Sequence, residues 1–579
     1  MWINGWSSME ICKYPLTLRA ILAGISLGLI FTFIGIYLYL KVGIVALGGV
    51  FLLGYLILEI TGEYDAGENV IILTITGATS LAALGFIDPI ASIIIYKDYL
   101  STQMSLSLPL LITLTLSGTI LGVFVLYPFY EEFIKLKWPL VTPMAYMIKV
   151  LEKEGSKELR YALEGMVFSG IASSLLMASN LYRIDLSGRS SDEMIQGNFT
   201  SITVSPLYAS LGFFLSYVGY VLLIAGAIYS MIVWSIIEGA NPNISIHEHF
   251  FNPYIYSVAI PMMITTAILT LAEYSKSLKA SLSGLKEESK RAQLTTLLAL
   301  ILLPLVSYIF LSIMGGIPQA LVNEVVEVTL IAIPIMFISS IFAVRAAGET
   351  GFSTSFTLDA TLVLTLLLLV PKFESLLLAF AIISVFESMA ISLMGRIKFG
   401  QIVGVEAKSI LKAVIVGGVA GAIIGPSIFW IFHHYQGGIG SSTWPAPFSK
   451  LLGGYVLLFY LGIKERRLPP MVSPQLMIFS IILTIVLWAL MRKLGLHQIS
   501  PVLLAIGMII PPSFLWIASI GAYIDFYLAK RYKKDAMLYK EKRSKWNALL
   551  AGVMSGEGII IFIITIISIL PLVTSMLIP

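Results

Sequence analysis

SPLYASLGFFLSYVGYVLLIAGAIYSMIVW, Ser205 to Trp234, has a second copy in SPVLLAIGMIIPPSFLWIASIGAYIDFYLAK, Ser500 to Lys530. Aligned without a gap, Ser205, Pro206, Gly212, Gly226 and Ala227 meet Ser500, Pro501, Gly507, Gly521 and Ala522. Every pair is 295 residues apart, close to half the chain. Proline and glycine at shared positions mark where a membrane helix can break or pack closely. Each copy is long enough for two short segments, or for one tilted helix with a re-entrant part. A doubled unit of broken apolar segments points to a transporter with internal repeats.

Composition narrows the class. Of 579 residues only 12% are charged, against about 25% in soluble proteins, and mean hydropathy is +0.91. A water-soluble fold has no way to hide that much apolar surface, so an integral membrane protein with many spans is expected, with the lipid bilayer as a partner. The net charge of +4 is scattered along the chain and gives no case for nucleic acid. Cys12 is the single cysteine and excludes an internal disulfide. Met1 to Pro15 is short and mixed and runs into a full apolar span, unlike a cleavable leader ahead of a soluble domain.

Read in order, the apolar runs predict an all-α polytopic membrane protein of about sixteen transmembrane segments (14 to 17), with broken or re-entrant helices and two pseudo-symmetric halves. The halves are residues 1–291 and 292–579, divided at the basic linker Lys276 to Arg291. The first spans are about Leu16 to Leu40 and Val42 to Ile60, and Asp88-Pro89 cuts the run Val70 to Ile95. In LKWPLVTPMA, Leu136 to Ala145, two prolines forbid a regular helix. Further spans are expected at 294–314 and 355–370, among others. Lys530 to Lys545, with eight basic residues, reads as a cytoplasmic linker. The halves echo each other again in Gly118/Gly122 against Gly417/Gly421 and in Trp138-Pro139 against Trp444-Pro445, at offsets of 299 and 306.

Ionisable residues in or beside spans are the sharpest chemical signal, because burying them in hydrocarbon is expensive. Glu557 lies in SGEG inside a run otherwise apolar from Ala548 to Leu570, and is the first choice for proton coupling. Glu387, in FESMAIS between two apolar stretches, is the second. Glu68 and Asn69 open a broken span and suit a cation or an amine. Glu59, Glu63, Asp359 and Asp525 also lie near span ends, where water can solvate them. RAAGETGFSTS, from Arg345, places Arg345 and Glu349 four apart, where they can pair. HHYQGGIGSSTWPAP, containing Trp444, reads equally as a re-entrant element lining a cavity and as an external loop. Thr142, Ser205 and Ser500 stand at the other expected breaks. Together Glu68, Asn69, Thr142, Ser205, Arg345, Glu349, Trp444 and Ser500 are the candidate substrate-binding residues. Neither His433-His434 nor His247-Glu248-His249 has metalloprotease spacing, so no metal site and no cofactor is assigned. The chain carries no Walker loop, Rossmann fingerprint, CxxC or nucleophile elbow.

Several of these motifs carry a resemblance. GENVIILT (Gly67 to Thr74), KWPLVTPMA (Lys137 to Ala145), Ser205 to Trp234, GRIKFGQIVGVEAKSI (Gly395 to Ile410) and LLAGVMSGEG (Leu549 to Gly558) occur in the order of similar blocks in the oligopeptide transporter superfamily, which includes the yellow stripe-like metal-chelate carriers. In the fourth block Arg396 replaces the usual acid, while Lys398, Gly400 and Gly404 match; in the last, Glu557 matches the acid. The resemblance implies secondary active transport of small peptides or peptide-like metal chelates, driven by protons, through about sixteen spans. It does not carry over a substrate. A membrane-embedded enzyme and a passive channel for a small polar solute remain the alternatives, and assembly as a homodimer stays open.

Overall fold

The apolar runs become helices that start where the sequence supplies caps and prolines. The computed structural model describes residues 14–42, 65–99, 106–151, 157–179, 181–185, 199–241, 244, 246–283, 319–351, 372–434, 437–441, 443–468, 470–496, 499–532 and 534–577. The elements are α1 (Leu18–Val42), α2 (Ala66–Gly85), α3 (Ile87–Ile95), α4 (Leu108–Leu126), α5 (Tyr130–Phe133), α6 (Val141–Leu151) and α7 (Lys157–Ala178). A short hairpin of β1 (Arg183–Asp185) and β2 (Ser201–Thr203) follows, antiparallel with Arg183 opposite Thr203. Then come α8 (Pro206–Leu215), α9 (Tyr217–Ile232), α10 (Ile246–Phe250), α11 (Pro253–Ser283), α12 (Gln319–Thr350), α13 (Phe373–Val403) and α14 (Ala407–His434). The chain continues through α15 (Pro447–Lys464), α16 (Pro474–Lys493), α17 (Val502–Ile509), α18 (Pro512–Arg531) and α19 (Ala536–Leu577). Among the described residues ten helical stretches are long and apolar enough to cross a membrane. The expected spans at 42–60, 294–314 and 355–370, with Glu59, Glu63 and Asp359, lie outside the described residues apart from Val42 at the end of α1, as does the second half of the linker 276–291, whose first half continues α11.

Two local expectations are corrected. Pro143 does not forbid a helix: α6 starts at Val141, which places Pro143 in the first turn, where its missing N–H needs no partner. Lys530 to Lys545 is not a loop either. Its first residues end α18 and Ala536 onward already belongs to α19. With 42 residues, α19 is about 63 Å long at 1.5 Å per residue, twice a hydrocarbon core of about 30 Å. Its basic first turns therefore project beyond the apolar layer.

The repeated stretches both break in the middle, at matched positions. The first breaks at Ser216, between α8 and α9, and the second at Ile510–Pro511, between α17 and α18. Ser216 and Pro511 are again 295 apart. The four pieces exchange contacts in mated pairs. A Cβ on Gly212 would collide with the carbonyl oxygen of Ala518, and one on Gly507 with that of Leu223. Gly226 is pressed against Leu504 O and Gly521 against Ala209 O. Each pair maps onto its mate by the same offset, as in a two-fold exchange, and only glycine lets backbones come this close.

The contact register also fixes direction. Along α8 and α18, Tyr208 stacks on Phe514 at 4.8 Å, Gly212 meets Ala518 and the Tyr217 amide reaches Asp525, so the two run in the same sense. Leu503 against Gly219 and Gly507 against Leu223 set α17 and α9 in the same sense. Tyr217 lies near Asp525 while Tyr220 donates to Leu515 O at 3.1 Å, so α9 runs against α18. Each copy therefore doubles back at its break, and the two copies run in opposite directions, the arrangement of an inverted repeat.

A second exchange links α2, α4, α13 and α14. Gly118 and Gly122 on α4 pack on α13 at Ile382, Val385 and Phe386. Gly417 and Gly421 on α14 pack on α2 at Ile75, Ala78 and Thr79. The glycines are 299 apart and their counterparts 307 apart, so the drift in offset reflects connecting loops of unequal length.

Candidate functional site

The Ser-Pro that opens each copy is a helix start, and in both copies a buried carboxylate from another helix sits on it. At α8, Ser205 is the N-cap: its Oγ accepts from the Tyr208 amide, and Pro206 takes the first helical position. Glu557 on α19 completes this end. Its Oε1 accepts from Ser205 Oγ and Tyr182 Oη, both at 2.7 Å, and its Oε2 accepts from the Leu207 amide at 2.8 Å. A carboxylate at a helix N-terminus is favoured by the free amides and the dipole there. Among the described residues no cation lies within ion-pair reach of Glu557. Tyr182 comes from the turn after α7. Burial first, and the neighbouring carboxylate second, push its phenol pKa up, so it remains a donor.

At α17 the arrangement is chemically different. Ser500 donates to Glu349 Oε2 through its Oγ at 2.7 Å and its amide at 3.0 Å. Glu349 sits near the end of α12 and its Oε1 accepts from Arg345 Nε at 2.5 Å, the four-residue pairing that the sequence suggests. Arg345 also donates to Thr270 Oγ1 at 3.2 Å and lies over Trp488, whose other neighbour is Arg492. Arg345 and Glu349 are both buried. The two copies thus hold their serines by acids from non-equivalent helices, one neutralised by a guanidinium and one not.

The segment 136–140 joins these regions. The Trp138 amide donates to Gly348 O at 2.7 Å and its Nε1 to Phe133 O at 2.9 Å, while its ring lies against Gly395 of α13. Leu140 presses on Gly351, whose φ of +80° ends α12. Thr142 Oγ1 donates to Lys137 O at 2.6 Å. Lys137 Nζ reaches the break of the first copy, donating to Leu215 O at 3.1 Å and to Ser216 Oγ. Lys398 Nζ donates to Ile134 O at 2.7 Å. Trp138 and Ser216 both hold left-handed backbone, φ +51° and +68°, a strain of roughly 1–3 kcal/mol each for a residue with a side chain. Asp525 supports the same break, bonding the Tyr217 amide at 3.1 Å and Arg543 at 2.8 Å.

The structure does not gather every residue singled out in the sequence. Glu68, half-buried in the first turn of α2, accepts from Thr17 at the start of α1, and Asn69 beside it is buried. Trp444 is buried at the far end of α1, against Tyr37, Phe432 and the Lys41 ammonium. Some twenty helical residues separate Thr17 from Tyr37, about 30 Å, so Glu68 and Trp444 do not share a site. Glu387 is buried on α13, in the turn that Gly122 of α4 and Gly85 of α2 press upon. Two partners were not visible in the sequence. Tyr182 stands in a polar connection with no pattern around it. Asp88, noticed only as a break, anchors α3 by accepting from Tyr39 and from Ser449 Oγ at 2.8 Å. Among the described residues no group of three or more His, Cys, Asp and Glu side chains is placed to hold a metal ion.

No curated protein matches the chain. The family model described as OPT oligopeptide transporter protein matches residues 15–568. With nearly its whole length covered, and with a pair of inverted, broken helical repeats, this multi-pass membrane protein belongs to the OPT oligopeptide transporter family.

Proposed function

We propose that the chain is a secondary importer of the cell membrane that moves small peptides, or peptide-like metal chelates, together with protons. The two halves, 1–291 and 292–579, act as pseudo-symmetric units around the breaks. One observation carries the proton part. The same Ser-Pro helix start is built twice; at one copy the acid is held by Arg345, and at the other Glu557 has neutral donors alone. An acid beside a guanidinium keeps its charge through a transport cycle. An acid whose donors are two hydroxyls and an amide takes up a proton when those donors withdraw, because a buried anion without hydrogen bonds is too costly. Withdrawal needs only that the 181–185 connection or the start of α8 shift relative to α19. Glu387 is the second carrier candidate. On the substrate side, Ser205 and Ser500 open the broken repeats, whose free backbone groups must face protein or water; Arg345 and Glu349, near the end of the continuous helix α12, reach Ser500, Thr142 lies in the first turn of α6, and Glu68, Asn69 and Trp444 are further candidates at the two ends of α1.

The test is substrate-stimulated proton movement. Purified full chain in proteoliposomes, with a pH-sensitive dye inside and an inward proton gradient, is given di- to tetrapeptides and ferric chelates in turn. Internal acidification that depends on one of these solutes is the expected result. Uptake of a labelled solute with no acidification under any gradient would remove proton coupling from the reading.

A further inference from the structure

Two mated positions of the repeat carry polar clasps. They are Ser230 on α9 and Asp525 on α18, again 295 residues apart, and both are buried. Asp525 Oδ2 accepts from the Tyr217 amide at 3.1 Å, directly after the break at Ser216, and its Oδ1 accepts from Arg543 of α19 at 2.8 Å. Arg543 also donates to Tyr539 and lies over the Phe213 ring of α8 at 5.3 Å. Ser230 Oγ lies 2.8 Å from Nε2 of His249, which is buried on α10. An ionised carboxylate only accepts, so His249 Nδ1 donates to Glu238 Oε2, at 2.7 Å. Glu238 ends the π-helical turn Val233–Ile237 that follows α9, and its Oε1 accepts from Asn252, ahead of α11, at 2.8 Å. The Phe199 ring meets His249 edge to face at 4.6 Å. Each clasp stands at the other copy's break. Asp525 touches the first break itself. Gly226 faces Leu504 O and the Met508 amide; one turn further along these two parallel helices, Ser230 is level with the second break, Ile510–Pro511. Because α9 runs against α18, the clasps lie toward opposite ends of the crossing. Thirteen residue steps of α9, from Tyr217 to Ser230, put about 20 Å between them. Their partners do not match: His249 and Arg543 come from helices outside the repeat, so either clasp can be released without parting the glycine crossings. A bridge that merely stapled a loop to a helix end would have no reason to recur at the mated position and face the opposite break.

We infer that these are the two clasps of one alternating gate: Ser230, His249 and Glu238 close one face of the paired breaks, Asp525 and Arg543 close the other, and each transport step releases one while the other holds. This rests on the transport reading above and names the contacts that move in it. Both clasps are made in this structure, which is therefore the occluded stage of the cycle. Arg543 and Glu557 share α19, so releasing the Asp525 clasp frees the helix that must move for Glu557 to lose its donors.

Thiol labelling of the purified full chain tests it. Cys12→Ser removes the single cysteine. Ser513→Cys and Val218→Cys, themselves 295 apart, then place a thiol in the first turn of α18 or of α9, just inside one clasp or the other. Ser230→Ala and His249→Leu should each speed labelling of Ser513→Cys by a water-soluble maleimide at least threefold and slow labelling of Val218→Cys. Asp525→Ala and Arg543→Met should do the reverse, since a shift toward one open state depletes the other. Speeding of both thiols by one substitution would mean general loosening, and a change in the near thiol alone would mean independent ends; either result, or no change at all, overturns the inference. A second measurement leaves both clasps intact. In a chain with both thiols, a bulky maleimide on one wedges its clasp open and should slow labelling of the other, whereas independent rates would again overturn the gate. No solute or proton enters these assays. Alternating thiols without solute-dependent acidification keep the gate and remove proton coupling; acidification with independent thiols does the opposite.

Discussion

Removing one negative charge from Glu557 and from Glu349 has different consequences, because their partners differ. Glu349→Gln leaves the buried Arg345 guanidinium without its counter-charge, and breaking a buried pair from one side costs about 3–5 kcal/mol. Glu557→Gln strands no cation. Its amide oxygen still accepts from the hydroxyls of Ser205 or Tyr182, which can turn, so the cost is about 1–2 kcal/mol, that of weakening charge-assisted bonds. Thermal unfolding in detergent should therefore fall far more for Glu349→Gln. Transport should show the opposite selectivity. Glu557→Gln folds and binds solute but loses uphill, proton-driven uptake; unchanged dependence on the proton gradient would transfer the role to Glu387. At this scale the sequence was half legible. An acid inside an apolar run, and a serine repeated before a proline, can be seen in the string of letters. Tyr182 cannot, because it meets Glu557 across 375 residues from a polar turn, and nothing local to either residue encodes the meeting.

Among elements, the crossings of the two copies depend on the absence of a side chain. Gly212, Gly507, Gly226 and Gly521 each face a backbone carbonyl so closely that a Cβ would displace a whole helix rather than a rotamer. Substitution of each by Ala should destabilise the protein by about 1–3 kcal/mol through overpacking, with mates Gly212 and Gly507 alike, and Gly226 and Gly521 alike. Gly219 is the control. Its nearest neighbours to an added Cβ are at 3.9–4.0 Å, ordinary contact, so Gly219→Ala in α9 should be neutral or stabilising by up to about 1 kcal/mol from helix propensity. Unfolding midpoints of the five variants check this; unequal costs within a mated pair would show that the exchange is not two-fold. The same physics explains why these elements were readable. Close backbone approach tolerates no substitute, so the repeat survives as glycines at a fixed offset. The second pair, Gly118/Gly122 and Gly417/Gly421, was readable for the same reason, although its contacts with α13 and α2 were not. Span number was not readable in this way, since apolar residues fill buried and lipid-facing helices alike.

For the whole molecule, the direction of each copy decides the topology. Because α9 runs against α18, their far ends must leave the membrane on opposite sides if both copies are embedded in it. The first end follows the π-helical turn Val233–Ile237 and reaches Asn241, which is exposed. The second ends at Arg531 and reaches Lys534, also exposed, among the eight basic residues from Lys530 to Lys545. A dense basic segment beside a span stays on the cytoplasmic side, which places Lys534 inside and Asn241 outside. Cys12 is the single cysteine, so Cys12→Ser gives a background in which one new thiol can be followed. In intact cells a membrane-impermeant maleimide should label Asn241→Cys directly and Lys534→Cys only after permeabilisation. A parallel repeat of the same two stretches would instead put both ends on one side. Labelling of both thiols from the same side would therefore rule out the inverted arrangement and, with it, a transport cycle built on two oppositely oriented copies that exchange roles.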